Sequence, residues 1–267
     1  MTPETSHRVR EFFANFGVTG RPHLLLDYDG TLAAFRVDRF RSRPWSGISP
    51  LLQRIQRNSS TRLAIITGRP AAEIAPMLRL DPPLEVWGLH GAERLSVDGR
   101  RQFEATPAAA SAKLEELRLA LRLDPLGGLF EEKANAAVIH WRGFSRRQAA
   151  EIERRARQLF EPLAHIEGLT LLQFESGVEL RAGRDKGGAV EAILAETGDG
   201  GPVAYLGDDL SDEAAFRAVQ RQGTKGLGVL VRRQWRATGA EIWLTPPAEL
   251  KSFLKQWADA CEESYFR

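Results

Sequence analysis

Short apolar runs alternate with stretches of helical periodicity in both outer parts of the chain. In the first part the pattern predicts a strand containing 24–26, a helix at 49–57, a strand at 63–66, a helix at 71–80 and a strand at 85–88. In the last part it predicts helices at 188–196, 212–222 and 248–258 and strands at 203–206, 228–231 and 241–244. Strands that alternate with helices are typical of βαβ units. We therefore predict an α/β fold built on a parallel sheet.

The middle of the chain has a different pattern. It predicts helices at 108–121 and 145–160 and extended stretches at 128–133, 136–142, 170–174 and 177–181. This αββαββ order suits a small antiparallel sheet with two helices on one face. A chain of 267 residues could form one large domain or two smaller ones, and the change of pattern favours two. We predict an α+β domain at 107–182, inserted into a domain formed by 1–106 and 183–267.

Composition and charge do not require a macromolecular partner. The net charge is +2, so neither a nucleic acid nor an anionic membrane is required as a partner. The first twenty residues have the periodicity of a short amphipathic helix rather than the apolar core of a signal peptide. The single cysteine, Cys261, cannot form an internal disulfide. We expect a cytoplasmic monomer that acts on a small molecule.

The first candidate for chemistry is the pair of carboxylates at the end of the first strand. Asp27 and Asp29 follow three leucines and precede the turn at Gly30, so both side chains can surround one magnesium ion. One carboxylate could attack phosphorus while the other transfers protons. The alternative is a strand followed by an ordinary Asp-Gly turn.

A second motif, Thr67-Gly68-Arg69, follows the second predicted strand. The carboxyl ends of parallel strands are where α/β sheets bind ligands, and a hydroxyl beside a backbone amide suits a phosphoryl oxygen. The alternative for Thr67 is a helix N-cap.

Two further motifs come after the middle domain. Lys186 precedes a predicted helix, where its ammonium could neutralise a phosphate; the alternative is a surface lysine. Asp208, Asp209 and Asp212 follow the strand at 203–206, and carboxylates crowded at one point indicate a cation. The alternative is capping of the next helix by Ser211 or Asp212, which leaves the Asp208-Asp209 pair unexplained.

In this order the four motifs resemble those of the haloacid dehalogenase superfamily of phosphatases, and the closest resemblance is to the trehalose-6-phosphate phosphatase family. The supporting segments span both domains and are 26–32, 88–93, 131–133, 140–142, 178–181, 185–187 and 207–213. The resemblance implies a Rossmann-like core with a parallel sheet and identifies the insert as a cap domain that selects the substrate.

For catalysis, the resemblance implies that Asp27 attacks phosphorus and forms an aspartyl-phosphate. Asp29 would protonate the leaving sugar oxygen and then activate water. Thr67 and Lys186 would hold the non-bridging phosphoryl oxygens.

For the metal, it implies a Mg²⁺ ion held by Asp27, the main-chain carbonyl of Asp29 and Asp208. Asp209 and Asp212 would place waters or orient Lys186.

For the substrate, the resemblance places sugar contacts on the cap at Glu131, Lys133 and Glu179, whose alternative is ordinary outward-facing strand polarity. His90 and Glu93, in the loop after a core strand, are expected to face the cap. Gly68 and Arg69 complete the predicted substrate-binding set. Closure of the cap would gate turnover.

Three hypotheses follow from the sequence. The first is a Mg²⁺-dependent phosphatase of trehalose 6-phosphate. The second is the same chemistry on another glycosyl phosphate, such as those of sucrose, glucosylglycerol or mannosylglycerate. The third is a sugar-phosphate-binding regulator that does not turn over, against which the intact set of Asp27, Asp29, Lys186 and Asp208 argues.

Overall fold

A computed structural model describes residues 3–18, 20–36, 41–58, 60–133, 135–198 and 200–265. The chain divides into two compact units. Unit 1 consists of Met1–Phe103 and Lys186–Arg267, and unit 2 of Glu104–Asp185. The predicted domain boundaries fall three residues away from these divisions.

The elements follow one another along the chain in three segments. The first segment of unit 1 contains α1 (Pro3–Phe13), β1 (His23–Leu26), α2 (Ile48–Asn58), β2 (Arg62–Ile66), α3 (Ala75–Leu78), β3 (Glu85–Gly88), β4 (Glu93–Leu95) and β5 (Arg101–Phe103). Unit 2 contains α4 (Ala108–Leu123), β6 (Phe130–Lys133), β7 (Ala136–His140), α5 (Arg146–Phe160), β8 (Leu169–Phe174) and β9 (Gly177–Ala182). The last segment contains α6 (Lys186–Thr197), β10 (Val203–Gly207), α7 (Glu213–Gln220), β11 (Gly226–Val231), β12 (Ile242–Leu244) and α8 (Ala248–Tyr265).

Unit 1 is built on one eight-stranded sheet in the order β12-β11-β10-β1-β2-β3-β4-β5. The six strands from β12 to β3 are parallel, whereas β4 and β5 are antiparallel to their neighbours. Strand β1 lies between β10 and β2, so strands from both segments of unit 1 form the centre of the sheet. The predicted α/β class with a Rossmann-like parallel sheet is confirmed.

Two local predictions were incomplete. The helix predicted at 71–80 is a 3₁₀ turn, Ala71–Glu73, followed by the one-turn helix α3. Pro76 has no backbone N–H and cannot continue an α-helix from the preceding turn. Strands β4 and β5 were not predicted, because each has three residues and both are mostly polar.

The predicted amphipathic helix at the start of the chain is confirmed as α1. Its buried face carries Val9 and Phe12, and the ring of Phe12 lies 5.8 Å from that of Trp257 on α8. Cys261, also on α8, is buried beside Thr61. Among the described residues, no helix combines the length and apolarity that crossing a bilayer demands.

Unit 2 has a four-stranded antiparallel sheet in the order β6-β7-β9-β8. Residues of α4 and α5 pack with Ala137, Ile139, Val178 and Leu180 in one apolar core. A capping box at Ser145 starts α5, which agrees with the predicted start of that helix.

The two ends of unit 2 are joined by an ion pair. Glu104 accepts hydrogen bonds from the backbone N–H of Arg184 and from its guanidinium, each at 2.8 Å. The first residue of unit 2 and its next-to-last residue are therefore held side by side.

Candidate active site

The site lies at the carboxyl edge of the unit 1 sheet, where three neighbouring parallel strands end. Asp27 follows β1, Thr67 follows β2 and Asp208 follows β10. Since β10, β1 and β2 are adjacent in the sheet, the predicted motifs come together at one edge, as expected for an open α/β sheet.

Lys186 is the centre of a buried group of charges. Its Nζ lies 2.8 Å from a carboxylate oxygen of Asp27 and 2.7 Å from one of Asp212. All three side chains are almost completely buried. A lysine held in this way is not a surface residue, so the structure excludes that alternative for Lys186.

The pKa values of this group reflect the crowding of like charges. Burial raises the pKa of Asp27, the charges of Asp212 and Asp29 add to the effect, and Lys186 opposes it. Burial would lower the pKa of Lys186, but the charges of Asp212 and Asp27 outweigh it and raise that pKa. The pKa of Asp208 is raised well above its ordinary value by burial and by the neighbouring aspartates. One lysine does not compensate these carboxylates.

Gly30 brings the carboxylate of Asp208 close to the Asp27 loop. A Cβ at Gly30 would lie 2.0 Å from an Asp208 oxygen, and Gly30 has a φ of +85°, so only glycine fits there. Oxygens of Asp27, Asp208 and Asp212 lie within 4.8 Å of one another. Carboxylate oxygens this close, with the pKa values of Asp27 and Asp208 raised, fit a divalent cation that would relieve their repulsion.

The carboxylate of Asp212 is already engaged by four donors. One oxygen accepts from Lys186 and from the hydroxyl of Tyr205 at 2.5 Å, and the other from the backbone N–H groups of Asp208 and Asp209 at 3.0 and 2.9 Å. A carboxylate offers about four lone-pair positions. Asp212 therefore orients Lys186 and shapes the acidic loop, residues Asp208–Asp212.

The alternative interpretation of this segment, capping of the following helix by Ser211 or Asp212, is wrong. Asp209 caps the turn Leu210–Asp212, since its side chain accepts from the backbone N–H of Leu210 at 2.7 Å. Asp212 makes no side-chain cap for α7 because Lys186 and Tyr205 engage its carboxylate.

Asp29 is paired with Arg69. The guanidinium reaches the two oxygens of this carboxylate at 2.5 and 2.7 Å, and it lies 5.7 Å from the centre of the Tyr28 ring. Arg69 is buried, whereas a quarter of the Asp29 side chain is exposed. The bidentate pair fixes the direction of the Asp29 carboxylate.

Thr67, Gly68 and His90 form the next part of the site. The Thr67 hydroxyl accepts from the backbone N–H of Arg69 at 3.2 Å, and the N–H of His90 donates to the Thr67 carbonyl at 2.7 Å. A Cβ at Gly68 would lie 2.7 Å from Nε2 of His90, so the imidazole lies against this glycine. His90 has a φ of 58°, which is uncommon for a residue with a side chain. The structure thus places His90 beside the predicted phosphate-binding turn.

Glu93 has a structural role within unit 1. It lies in β4, is fully buried, and accepts from the backbone N–H of Ala71 at 2.8 Å and from Arg101. The carboxylate holds the segment that follows Arg69, and Glu93 lies in β4 rather than in a loop.

In unit 2, the predicted substrate-binding residues share one face of the sheet. Glu131 and Glu179 both lie opposite Val138 in register, and Lys133 is two residues beyond Glu131 on the same strand. Nζ of Lys133 lies 2.9 Å from the carboxylate of Glu179, and Glu131 is 2.7 Å from Nε2 of His140. The three polar side chains therefore form one group on the face opposite α4 and α5.

Sequence reasoning missed four side chains at the site of unit 1. Thr31 donates to Asp27 at 3.3 Å, and its place beside Asp29-Gly30 could have indicated this. Tyr205 is a tyrosine inside an otherwise apolar strand, which was a weak signal. Arg232 and Arg236 donate to main-chain carbonyls of the acidic loop, and no feature of the sequence indicated those contacts.

The sequence profile of the trehalose-phosphatase family matches residues 25–241. A trehalose-phosphate phosphatase of Mycolicibacterium paratuberculosis is 30% identical over 260 residues, which cover 92% of this chain. The chain spans only 64% of the length of that relative.

Solved structures share the fold. A trehalose-6-phosphate phosphatase of Aspergillus fumigatus superposes with a TM-score of 0.70 at 21% identity, covering 94% of this chain and 97% of that one. A haloacid dehalogenase-like hydrolase from Bacillus subtilis gives a TM-score of 0.63 at 17% identity, covering 87% and 98%. The fold expected from the sequence motifs is therefore confirmed.

Proposed function

This chain belongs to the trehalose-phosphatase family, and we propose that it is a Mg²⁺-dependent phosphatase that hydrolyses trehalose 6-phosphate to trehalose and phosphate. The observation that carries the proposal is the buried group in which Lys186 bridges Asp27 and Asp212 while Asp208 lies against Gly30. A nucleophilic carboxylate, a fixed cation and a second carboxylate for a metal are the groups that phosphoryl transfer to an aspartate requires.

We propose that Asp27 attacks phosphorus and that the leaving sugar oxygen departs on the opposite side. Lys186 holds the Asp27 carboxylate in one orientation and supplies positive charge beside the transferred group. The hydroxyl of Thr67 and the backbone amides of its turn are placed to bind the non-bridging oxygens. A Mg²⁺ ion held by Asp27, Asp208 and the main-chain carbonyl of Asp29 would neutralise charge on the phosphoryl oxygens.

Asp29 is the group we propose for proton transfer. It gives a proton to the leaving oxygen and later takes one from the water that hydrolyses the aspartyl-phosphate. Its bidentate pair with Arg69 points the carboxylate in a fixed direction. Arg69, which was predicted to bind the substrate, is thus proposed to orient Asp29 as well.

For the substrate, we propose that Glu131, Lys133 and Glu179 of unit 2 bind sugar hydroxyls. A disaccharide offers many hydroxyls, and a group of alternating charges provides both donors and acceptors for them. His90 is proposed to contact the bound sugar phosphate beside Gly68. Asp209 and Asp212 are proposed to hold the loop that carries Asp208, since their carboxylates already accept backbone N–H groups.

The test is phosphate release from a panel of sugar phosphates in the presence of Mg²⁺. The panel contains the 6-phosphates of trehalose, sucrose and glucose together with glucosylglycerol and mannosylglycerate phosphates. Selective turnover of trehalose 6-phosphate supports the proposal, and preference for another member replaces the substrate while keeping the chemistry. Binding of trehalose 6-phosphate without turnover would show a regulator and overturn the proposal.

The background control is Asp27→Asn, which keeps the size of the side chain and removes the nucleophile. Lys133→Met serves as the specificity control, because it should raise KM for trehalose 6-phosphate more than it lowers kcat. If Lys133→Met changed neither constant, the sugar-binding role of unit 2 would be wrong, although the reaction would stand.

A further inference from the structure

We propose that Arg236, held in place by Glu213, is a positioning residue that fixes the acidic loop Asp208–Asp212 and thereby sets its affinity for Mg²⁺. This inference rests on the proposed function, since it concerns the same metal site. It adds a residue from the segment after β11, since Arg236 comes 24 positions after Asp212, the last residue of the loop.

Arg236 donates to the outer side of the acidic loop. Its Nη2 lies 2.7 Å from the main-chain carbonyl of Asp209, and its Nε lies 3.3 Å from that of Asp208. Arg232 adds a longer contact to the Asp208 carbonyl at 3.4 Å. Two successive carbonyl groups are therefore bound by one guanidinium.

Glu213 fixes the guanidinium from the other side. Its carboxylate lies 2.5 Å from Nη1 of Arg236 and also accepts from the hydroxyl of Thr238 and the backbone N–H of Gly239, each at 2.8 Å. The side chains of Arg236 and Glu213 are only 13% and 19% exposed. A guanidinium with this many fixed partners and little contact with water has one orientation.

The contacts of Arg236 complement those of Asp212. The peptide group between Asp208 and Asp209 donates its N–H to the Asp212 carboxylate on one side and accepts from Arg236 on the other. Both ends of this peptide are thus fixed, which determines where the side chain of Asp208 leaves the loop. That side chain is the one that reaches the surface of Gly30.

Charge and position predict opposite effects for this arginine. A guanidinium near a cation site repels the cation, so removal of its charge alone would strengthen Mg²⁺ binding. If Arg236 acts by holding the loop, its removal weakens Mg²⁺ binding, because groups that orient metal ligands typically change metal affinity by about 10- to 100-fold. The sign of the change separates the two explanations.

The experiment is a calorimetric titration of Mg²⁺ into the full-length protein and its variants, without substrate. Arg236→Ala is expected to raise Kd about tenfold. Arg233→Ala is the matched control, because it removes the same charge from the same segment, is exposed, and contacts the ring of Trp45 rather than the loop carbonyls. Arg233→Ala is expected to leave Kd unchanged or slightly lower.

Arg236→Ala that binds Mg²⁺ as tightly as the parent, or more tightly, would overturn the inference, as would an equal loss in Arg233→Ala. Arg236→Lys, which keeps the charge but cannot bond two carbonyls and Glu213 together, is expected to weaken binding as well and replaces Arg236→Ala if that variant does not fold. If the parent protein does not bind Mg²⁺, the proposed function itself is refuted. If the parent binds Mg²⁺ and Arg236→Ala has the same Kd, only the role of Arg236 is refuted.

Discussion

The two edges of the unit 1 sheet handle buried charge in opposite ways. At the carboxyl edge, Lys186 binds Asp27 and Asp212, and an oxygen of Asp208 lies within 4.8 Å of oxygens of both aspartates. At the amino edge, Arg62 starts β2 and forms a bidentate pair with Glu85, which starts β3, at 3.0 and 2.9 Å. Negative charge is in excess at the first edge, whereas the second edge is balanced.

The balance at the amino edge extends over four side chains. Arg62 also reaches Glu196 at 2.7 Å, and Arg94 reaches Glu85 at 2.7 Å and Glu196 at 2.6 Å. Burial would raise the pKa of Glu85, but its hydrogen bonds and charge interactions with Arg62 and Arg94 lower it. The pKa values of Asp27 and Asp208 move in the other direction. The amino edge thus contributes stability, and the carboxyl edge keeps uncompensated charge that a cation can neutralise.

The largest expected effect is that of Asp27→Asn at the carboxyl edge. Because the nucleophile is removed, phosphate release should fall at least about a thousandfold. The free energy of unfolding should stay the same or rise, because a buried carboxylate among like charges becomes a neutral amide. A kinetic assay and urea unfolding measure the two quantities; near-normal phosphate release would remove Asp27 from the proposed role.

The next largest effect is expected at the amino edge. Glu85→Gln leaves the buried guanidinium of Arg62 without its main carboxylate, which should lower the free energy of unfolding by about 3 kcal/mol while kcat stays close to that of the parent. Glu151→Gln, in an exposed pair with Arg154, is the control and should not change stability measurably. A loss of kcat in folded Glu85→Gln would show that the amino edge influences catalysis at the carboxyl edge, so the two edges would not be independent.

The smallest effect is the pH dependence of two differences in stability, that between Asp27→Asn and the parent and that between Glu85→Gln and the parent. Both are measured as differences in Tm without metal. The raised pKa of Asp27, about 7, means that the folded protein holds this proton more tightly than the unfolded chain, so the group destabilises as pH rises from about 3.8 to about 7. The advantage of Asp27→Asn over the parent should grow over that range and then stay constant. The lowered pKa of Glu85 has the opposite sign, since its contribution is present above about 4.5 and is lost as pH falls further. If the Tm differences of Asp27→Asn and Glu85→Gln from the parent changed with pH in the same direction, the two edges would not handle buried charge in opposite ways.

Much of the carboxyl edge could be predicted because parallel strands bind ligands at their carboxyl ends. Apolar runs located β1, β2 and β10, and the rule that parallel strands bind ligands at their carboxyl ends brought Asp27, Thr67 and Asp208 together. Lys186 could be predicted as the cation of this site because it begins a helix directly after the insert.

The remaining contacts depend on packing that no local pattern records. Helix capping was the alternative considered for Asp212, but its carboxylate accepts from Lys186 and Tyr205. The packing of three separate elements brings these partners together. Arg236 meets the acidic loop only because β11 lies beside β10. The balanced network around Glu85 was not predicted either, since Arg62 and Arg94 become its partners through strand pairing.

The ion pair between Glu104 and Arg184 also matters for how such a chain can be rebuilt. With its first and next-to-last residues side by side, unit 2 enters and leaves unit 1 at one place and has the geometry of an exchangeable cassette. Replacing it with another insert, or with a short linker, would require of unit 1 only that two neighbouring chain ends be joined. An architecture of this kind lets unit 2 diverge while the carboxyl edge of the unit 1 sheet is left unchanged.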